Sequence, residues 1–364
     1  MRITVLSRYN GQSNRGVETW ALNLCQHLQG LGHTCLLIQG GATMPPEASF
    51  RTIALNMPVH SSVDRLGGVA GNILARCHLT SSERDLACFS LRALPHMLAY
   101  RPDIIMLANH FWPVVAAKAG RLFGGQGRIV ITSQVGWWYV TQDDLRLGID
   151  GFVAIQPQTY ESAVQFSRGK TPVRLIPNGV DIERFACGPL ADIPLVRPVV
   201  IMVAALVDYK RVHLAVRAVA QAGMSLLLLG DGPNATDVLS LAHTLLGPRR
   251  FLHLSDVAHN EVADYYRAAD VFTLSSTAAE GFGIAIIEAM AAGLPVVVND
   301  DPVRRWIAGQ RGLFVDPEDT DSYAQALLSA VSRGKISPAN CDLSRFDWQT
   351  VARQHAEFFE QLRV

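Results

Sequence analysis

The fold of this chain is decided by the stretch Ser275-Ser276-Thr277-Ala278-Ala279-Glu280-Gly281-Phe282-Gly283-Ile284-Ala285-Ile286-Ile287-Glu288-Ala289-Met290. The mostly apolar residues just before it, 271–274, predict a buried strand, and 275–283 predict the loop that leaves this strand. Residues 284–292 are good helix formers without a breaker. The stretch therefore predicts a strand, a loop and a helix in succession, which is the repeating unit of an α/β fold.

Two carboxylates lie eight positions apart in this stretch, Glu280 in the predicted loop and Glu288 just over one turn into the predicted helix. Gly281 and Gly283 let backbone approach a ligand closely, and the start of a helix offers unpaired N–H groups that bind a diphosphate without a metal. Glu280 would face the ligand, and Glu288 would accept hydrogen bonds from ribose hydroxyls. The pattern indicates a nucleotide-sugar site, and a glycine-rich turn with two solvated acids is the alternative.

Length and composition indicate a well-packed protein of two or three domains. The chain has 364 residues, of which 49% are hydrophobic and 18% charged. No segment approaches the ~20 apolar residues that span a bilayer, and residues 1–6 predict a strand and not a signal peptide. The six cysteines are scattered singly, without metal-site spacing, which is typical of free thiols. We therefore expect a cytoplasmic protein.

Charge is balanced overall but unevenly spread. Residues 1–190 hold 17 Lys and Arg against 12 Asp and Glu, and the remainder hold 15 against 20. A basic half favours an anionic acceptor or peripheral contact with the inner membrane face, and ordinary scatter is the alternative because no basic cluster is present. The absence of a basic stripe argues against nucleic acid as a partner.

Predicted strands and helices alternate along the whole chain, which implies parallel sheets covered by helices on both faces. The pattern restarts at 198–203, after a stretch rich in proline at 187–198. We place a linker there and expect two doubly wound domains that bind ligands at the carboxyl ends of their strands. The less regular residues 42–95 are expected to be helical insertions that shape an acceptor site.

The string Leu175-Ile176-Pro177-Asn178-Gly179-Val180-Asp181-Ile182-Glu183-Arg184-Phe185, together with the Glu280–Glu288 block, resembles glycosyltransferase family 4. The resemblance covers nearly the whole chain. It implies a GT-B fold of the α/β class, in which two Rossmann-like doubly wound domains face a deep interdomain cleft. Residues 1–186 would bind the acceptor, 187–345 would bind the nucleotide-sugar donor, and a terminal helix in 346–364 would cross back to the first domain.

The resemblance also assigns roles within the double-glutamate block. Glu280 would lie beside the transferred sugar, and Glu288 would hold the ribose. The sugar and diphosphate would be bound by the backbone amides of Gly281, Phe282, Gly283 and Ile284.

Three further residues match positions of the family pattern. Lys210 resembles the lysine that neutralises the departing diphosphate, a role suited to a flexible point charge; a surface lysine is the alternative. Gly16 resembles the glycine whose amide approaches the donor phosphate, or is a simple turn glycine before a helix. Val257 lies where the family backbone meets the nucleotide base, or is an ordinary loop valine.

One position departs from the family pattern. The family commonly has Gly-Arg-Leu before its lysine, whereas this chain has Ala204-Ala205-Leu206, so the usual diphosphate arginine is missing. Arg211 or Arg15 could replace its charge, although neighbours along an element need not face the same way. We expect Lys210 to supply most of the compensating charge.

The first half contributes a histidine and an aromatic run. His110 follows the predicted strand 104–108 and resembles the histidine that contacts the transferred sugar; a structural histidine is the alternative. Trp137, Trp138 and Tyr139 would stack on an acceptor sugar or lipid, or pack between domains. The adjacent acids at 143 and 144 do not make a convincing metal pair, so no metal or other cofactor is expected.

The implied activity is a metal-independent transfer of a hexose with retention at the anomeric carbon. The frequent family donor, UDP-glucose, is the expected donor, and the acceptor is expected in polysaccharide, lipid-linked glycan or glycolipid synthesis. The rival hypotheses are a non-catalytic nucleotide-sugar-binding protein and an NAD-dependent Rossmann enzyme. The second lacks a complete Gly-x-Gly-x-x-Gly after the first strand.

Overall fold

The computed structural model describes residues 1–10, 16–42, 49–58, 78, 80–134, 138–258, 260–336 and 342–363, and of 16–18 and 138–141 it describes the backbone only. The chain forms two compact units, Met1–Pro177 with Trp348–Val364, and Asn178–Asp347. Within the described ranges, no helix combines the length and apolar character needed to cross a membrane.

The first unit is a parallel seven-stranded sheet with the order β3-β2-β1-β4-β5-β6-β7. Its elements are β1 Arg2–Ser7, α1 Gly16–Gly30, β2 Thr34–Gln39, β3 Arg51–Ala54, α2 Ser81–Tyr100, β4 Ile104–Leu107, α3 Trp112–Arg121, β5 Arg128–Thr132, α4 Trp138–Arg146, β6 Gly151–Ala154, α5 Pro157–Ser167, β7 Val173–Leu175 and the terminal helix α13 Trp348–Arg363.

Both faces of this sheet are covered, because its central strands are apolar on both sides. All four residues of β4 and of β6 are buried, which is typical of parallel sheets. On one face, α1 and α13 share a core that includes Trp20, Leu24 and Phe359. On the other face, Phe89 of α2 and Val114 of α3 belong to a second core. The terminal helix is therefore part of the first unit.

The second unit is a parallel six-stranded sheet with the order β10-β9-β8-β11-β12-β13. Its elements are α6 Ile182–Ala186, β8 Val199–Val203, α7 Val212–Gln221, β9 Ser225–Leu229, α8 Ala235–Leu246, β10 Phe251–Leu254, α9 Val262–Ala268, β11 Val271–Leu274, α10 Ile284–Ala291, β12 Val296–Asn299, α11 Pro302–Ala308, β13 Gly312–Val315 and α12 Thr320–Arg333. A short 3-10 helix, Asp208–Lys210, precedes α7.

The two Rossmann-like domains predicted from the sequence are confirmed, and the boundary between them differs from the predicted one. The structure divides the chain after Pro177, nine residues before the expected boundary at 186. The reason is α6, whose Phe185 is buried and packs edge-on against Tyr266 with ring centroids 5.6 Å apart. Arg267 also donates a 2.6 Å hydrogen bond to the Arg184 carbonyl. Helix α6 therefore packs with the second unit.

In both units the strand order reverses beside the first strand, which pairs with the second strand on one side and the fourth on the other. Such a switch point opens a crevice at the carboxyl ends of the two central strands, where doubly wound folds bind ligands. In the first unit, the amide of Arg8 after β1 donates to Asn109 after β4. In the second unit, the loops after β8 and β11 meet there. Of the segment 42–95, the described part contains β3 and most of α2 rather than helical insertions alone.

Candidate functional site

The loop between β11 and α10 is held against the loop that leaves β8. The Thr277 amide donates to the Tyr209 carbonyl over 2.7 Å, and the Ser275 hydroxyl donates to the carbonyls of Lys210 and Arg211, each over 3.0 Å. Ser275 and Ser276 are buried. The two loops of the switch point are therefore one connected structure.

Lys210 and Glu280 face each other across this junction and form an ion pair. The exposed fractions of their side chains are 13% and 14%. The Ser276 hydroxyl donates a further, 3.3 Å hydrogen bond to the same Glu280 oxygen. Because both charges are mostly shielded from water, their attraction is stronger than that of a surface pair. The structure thus brings together a cation and an acid that the sequence separates by 70 residues.

Arg211 holds the loop rather than pointing a free charge toward a ligand. Its Nε donates to the Ser275 carbonyl over 2.9 Å, Nη2 to the Ser276 carbonyl over 3.3 Å, and Nη1 to Glu318 over 3.1 Å. Its φ of 47° places it in the left-handed region between the 3-10 helix and α7. The guanidinium is therefore occupied by acceptors of the protein.

The four residues predicted to offer amides lie at the start of α10. Gly283 has a φ of 89°, and a Cβ there would also approach Ile286 to 3.1 Å, so the position requires glycine. Phe282 is buried, with its ring packed edge-on against Trp306 and Phe346. In the described structure no side chain caps α10. The first turn therefore keeps the amides and the dipole that favour an anion.

Glu288 lies in the second turn of α10 and is partly buried. The hydroxyl of the buried Tyr266 donates to it over 3.0 Å. Burial raises the pKa of Glu288 to about 6, although the Tyr266 hydrogen bond and the charge of Arg184 both oppose the increase. The same burial and the neighbouring carboxylate raise the pKa of Tyr266 well above its ordinary value. Glu288 thus ionises near neutrality.

The loop after β8 lies so close to the loop after β9 that side chains would not fit at two glycines of the latter. A Cβ on Gly230 would lie 2.2 Å from the Ala204 carbonyl oxygen, and one on Gly232 would lie 2.5 Å from that of Leu206. The Leu206 amide donates to the Asp231 carbonyl over 3.0 Å, which joins the two loops. Val257, predicted to meet the nucleotide base, is half-buried in the loop after β10, at the same edge of the sheet.

Arg304 is a basic residue of this region that the sequence did not single out. It lies on α11 and is completely buried, and its Nη1 donates to the backbone carbonyl of Glu280 over 3.2 Å. The same nitrogen lies 3.5 Å from Asp301 Oδ2. A second arginine therefore reaches the β11–α10 loop, from the helix that follows the neighbouring strand β12.

The first unit places His110 after β4, where its ring is 11% exposed. Its Nδ1 is hydrogen-bonded to Oδ2 of Asp144, a fully buried residue of α4. The Phe111 amide donates to Oδ1 of the same carboxylate over 2.8 Å. Within the described part of the chain, the buried Nε2 of His110 has no hydrogen-bond partner. The imidazole is therefore fixed in orientation by Asp144, and its other nitrogen is unpartnered among the described residues.

The structure describes the remaining predicted residues only in part or not at all. Arg15 and Trp137 lie outside the described residues, and of Trp138 and Tyr139 only the backbone is described, at the start of α4. Gly16 begins α1. Among the described residues, no group of three or more His, Cys, Asp or Glu side chains is arranged to hold a metal ion.

Two family models match the chain in succession. The model described as Glycosyltransferase Family 4 matches residues 14–184, and that described as Glycosyl transferases group 1 matches 191–342. This chain belongs to glycosyltransferase family 4. The predicted family is thus confirmed.

Curated relatives of this family 4 chain include a phosphatidyl-myo-inositol mannosyltransferase from Mycolicibacterium smegmatis, 33% identical over 199 residues. The match spans about half of this chain and half of the relative, 51% of each. A GDP-mannose-dependent α-(1-6)-phosphatidylinositol monomannoside mannosyltransferase from Mycobacterium tuberculosis is 27% identical, over 66% of this chain and 71% of the relative.

Solved structures share the fold over nearly the full length. Sucrose-phosphate synthase from Thermosynechococcus elongatus has a TM-score of 0.79 and 22% identity, covering 99% of this chain and 98% of its own. Anabaena HepE in complex with UDP and glucose has a TM-score of 0.69 and 18% identity, covering 98% and 99%. The GT-B fold predicted for this family 4 member is confirmed.

Three residues that contact predicted site residues are not marked by any sequence motif: Asp144 in the first unit, and Tyr266 and Arg304 in the second. In the sequence Asp144 stands out only beside Asp143, as an unconvincing metal pair, although it lies on the helix after β5, the strand next to β4. Tyr266 precedes β11, and Arg304 follows β12, its neighbour. A predicted strand order would have brought each of them near the corresponding site residue.

Proposed function

We propose that this chain transfers a hexose from a nucleotide diphosphate sugar to an acceptor hydroxyl. The observation that carries the proposal is the Lys210–Glu280 ion pair at the switch point of the second unit, beside the uncapped start of α10. A shielded cation, a carboxylate and bare helical amides provide what a sugar diphosphate needs. Family membership supports the same class of reaction.

Each group then has a distinct role toward the donor. Lys210 neutralises the diphosphate as it leaves, and the amides of residues 281–284 bind its oxygens. Glu280 orients Lys210 before the donor binds and lies beside the transferred sugar. Glu288 accepts hydrogen bonds from the ribose, for which it must be ionised.

The reaction we propose retains the configuration of the anomeric carbon. The bond from that carbon to the diphosphate oxygen breaks, and the acceptor oxygen forms its bond on the same face. The acceptor proton passes to a phosphate oxygen of the leaving group, so neither a side-chain nucleophile nor a metal ion takes part. The protein contributes positioning and stabilisation of the leaving group. For His110 we propose contact with the transferred sugar through its unpartnered Nε2.

The relatives favour a mannosyl donor over the expected UDP-glucose. Those that match at 33% and 27% identity are named mannosyltransferases, and the second is named as GDP-mannose-dependent. We therefore propose GDP-mannose first and UDP-glucose second. Both relatives act on phosphatidylinositol lipids by name, which supports a glycolipid or lipid-linked acceptor at the cytoplasmic face of a membrane.

The decisive experiment incubates the full chain with GDP-mannose, UDP-glucose and related nucleotide sugars. Release of nucleoside diphosphate is measured without acceptor and with vesicles containing phosphatidylinositol, each with and without a metal chelator. We expect slow hydrolysis of one donor, unaffected by the chelator, and a product with the donor's anomeric configuration. Donor binding without any product would favour the non-catalytic binding protein, and no binding at millimolar concentration would overturn the proposal.

A further inference from the structure

Arg304 is an unusual cation because its guanidinium is completely buried yet incompletely paired. In the part of the chain that the structure describes, its Nε and Nη2 are buried without a hydrogen-bond partner. Of its three nitrogens, Nη1 alone has acceptors among the described residues, the Glu280 carbonyl at 3.2 Å and Asp301 Oδ2 at 3.5 Å. The Asp301 carboxylate also caps α11, accepting from the amides of Val303 and Arg304.

Such an arrangement is costly for folding. Burying a charge is unfavourable unless it is well paired, and unpartnered N–H groups add to the cost. An apolar side chain of similar length would avoid both losses. Fold stability alone therefore does not account for an arginine at this position.

The hydrogen bond from Arg304 to the Glu280 carbonyl determines how a neighbouring amide points. The only cis peptide bond in the described residues is Arg197–Pro198, so the peptide between Glu280 and Gly281 is trans. In a trans peptide the C=O and N–H bonds point in opposite directions. Because Arg304 holds the Glu280 carbonyl, the Gly281 N–H is directed away from the guanidinium.

We propose that Arg304 is a positioning residue for the diphosphate of the donor, acting through the Glu280–Gly281 peptide. The charge-assisted hydrogen bond to the carbonyl fixes that peptide and polarises it, which makes the Gly281 N–H a stronger donor toward an anion. The buried positive charge adds a favourable potential behind the loop. This inference rests on the proposed function, since it concerns the same donor site.

Arg304 can also compensate for the arginine that this chain lacks at position 205, where it departs from the family pattern. The arginine expected at 205 is an alanine, and the guanidinium of Arg211 is bound to the carbonyls of Ser275 and Ser276 and to Glu318. Arg304 contacts the same loop, and its one carboxylate contact among the described residues, to Asp301 Oδ2, is long at 3.5 Å. It therefore supplies the second positive charge of the site indirectly.

The test compares three variants of the full chain: R304M, R304K and the matched control R305M. Arg305 is the next residue of α11, but its side chain is 57% exposed and pairs with Asp300. Loss of Arg305 therefore removes the same charge from the same helix without touching the loop. The readouts are the dissociation constants of UDP and GDP by calorimetry, the melting temperature, and kcat and KM for the donor.

We expect R304M to weaken binding of the preferred nucleoside diphosphate by roughly 10- to 100-fold, as for loss of a charge-assisted hydrogen bond. Its melting temperature should stay equal or rise, because a costly buried charge is gone. R304K keeps the charge and one donor, so its binding should stay within about fivefold of wild type. R305M should bind like wild type.

Three results would overturn the inference: R304M binding as tightly as wild type, R305M weakening binding as much as R304M, or an R304M chain that melts earlier or does not fold. In that last case the arginine is structural, and loss of binding by a folded R304K would exclude the charge-based account as well. Failure of wild type to bind either nucleotide would instead count against the proposed function.

Discussion

Lys210 and Glu280 form a shielded ion pair that joins the loops leaving β8 and β11. The two residues are 70 positions apart in the sequence. The pairing holds Lys210 at the switch point of the sheet before any ligand arrives. A donor diphosphate would meet an oriented cation there instead of a flexible surface lysine, which reduces the reorganisation needed during the reaction.

Replacing Lys210 by alanine should therefore lower turnover more than donor affinity. We expect K210A to reduce kcat by about a hundredfold or more, because a charge aimed at the leaving group is lost. Donor KM should change by less than about tenfold. Steady-state kinetics with the preferred donor measure both. Arg217, exposed on α7, provides the matched control, and R217A should behave as wild type. Full turnover by K210A would refute the role of Lys210.

Arg211 should instead be needed for the stability of the site. Its guanidinium donates to two loop carbonyls, so R211A should lower the free energy of unfolding by about 2–3 kcal/mol. Chemical denaturation of R211A and K210A, side by side with their kinetics, separates the two roles. The assignment would be reversed if R211A abolished turnover at unchanged stability while K210A stayed active.

The ionisation of Glu288 predicts a pH dependence of donor binding. Because its pKa is raised to about 6, chiefly by burial, the carboxylate needed to accept from ribose is lost below that pH. UDP or GDP should bind progressively more weakly as the pH falls from 7 to 5. The variant E288Q should bind weakly throughout, without this dependence. A wild-type affinity independent of pH over that range would contradict the role of Glu288.

The same shift has a consequence for stability. The folded state binds the Glu288 proton more tightly than the unfolded chain, whose carboxyl has the ordinary pKa of 4.5. The favourable contribution of the protonated form is therefore complete below about pH 4.5 and is lost as the pH rises through 6. At pH 7, E288Q should be more stable than wild type by about 1–2 kcal/mol, since the carboxyl is partly exposed. Thermal melts of both proteins at pH 5 and pH 7 measure the difference.

The sequence predicted those parts of the structure that depend on local pattern. The buried strands before Lys210, Glu280 and His110 are mostly apolar runs, and Gly281 and Gly283 mark the loop that contains Glu280. Strand β7 is harder to predict because it has three residues, of which Arg174 is exposed. Edge strands of this kind lack the two-sided burial that makes central strands recognisable.

Contacts that depend on strand order could not be predicted in this way. Arg304 reaches the Glu280 carbonyl because β12 lies beside β11, and Asp144 reaches His110 because β5 lies beside β4. Neither adjacency is encoded in local periodicity, which gives the elements but not their neighbours. The division after Pro177 has a similar cause, since the packing of Phe185 on Tyr266 joins positions about eighty residues apart.

Asp144 should set the hydrogen-bonding state of His110. A buried carboxylate only accepts hydrogen bonds, so the proton on that side of the ring belongs to Nδ1. D144N can still accept from the Phe111 amide, but its NH2 group then faces Nδ1 and favours the tautomer protonated at Nε2. We expect D144N to lower kcat by about 10- to 100-fold, and nitrogen NMR of the imidazole to show the exchanged tautomer. The neighbouring Asp143, 30% exposed and paired with Arg146, is the matched control, and D143N should leave both unchanged. An unaltered tautomer in D144N would show that the carboxylate does not govern the ring, because the amide substitution alters little besides that one acceptor.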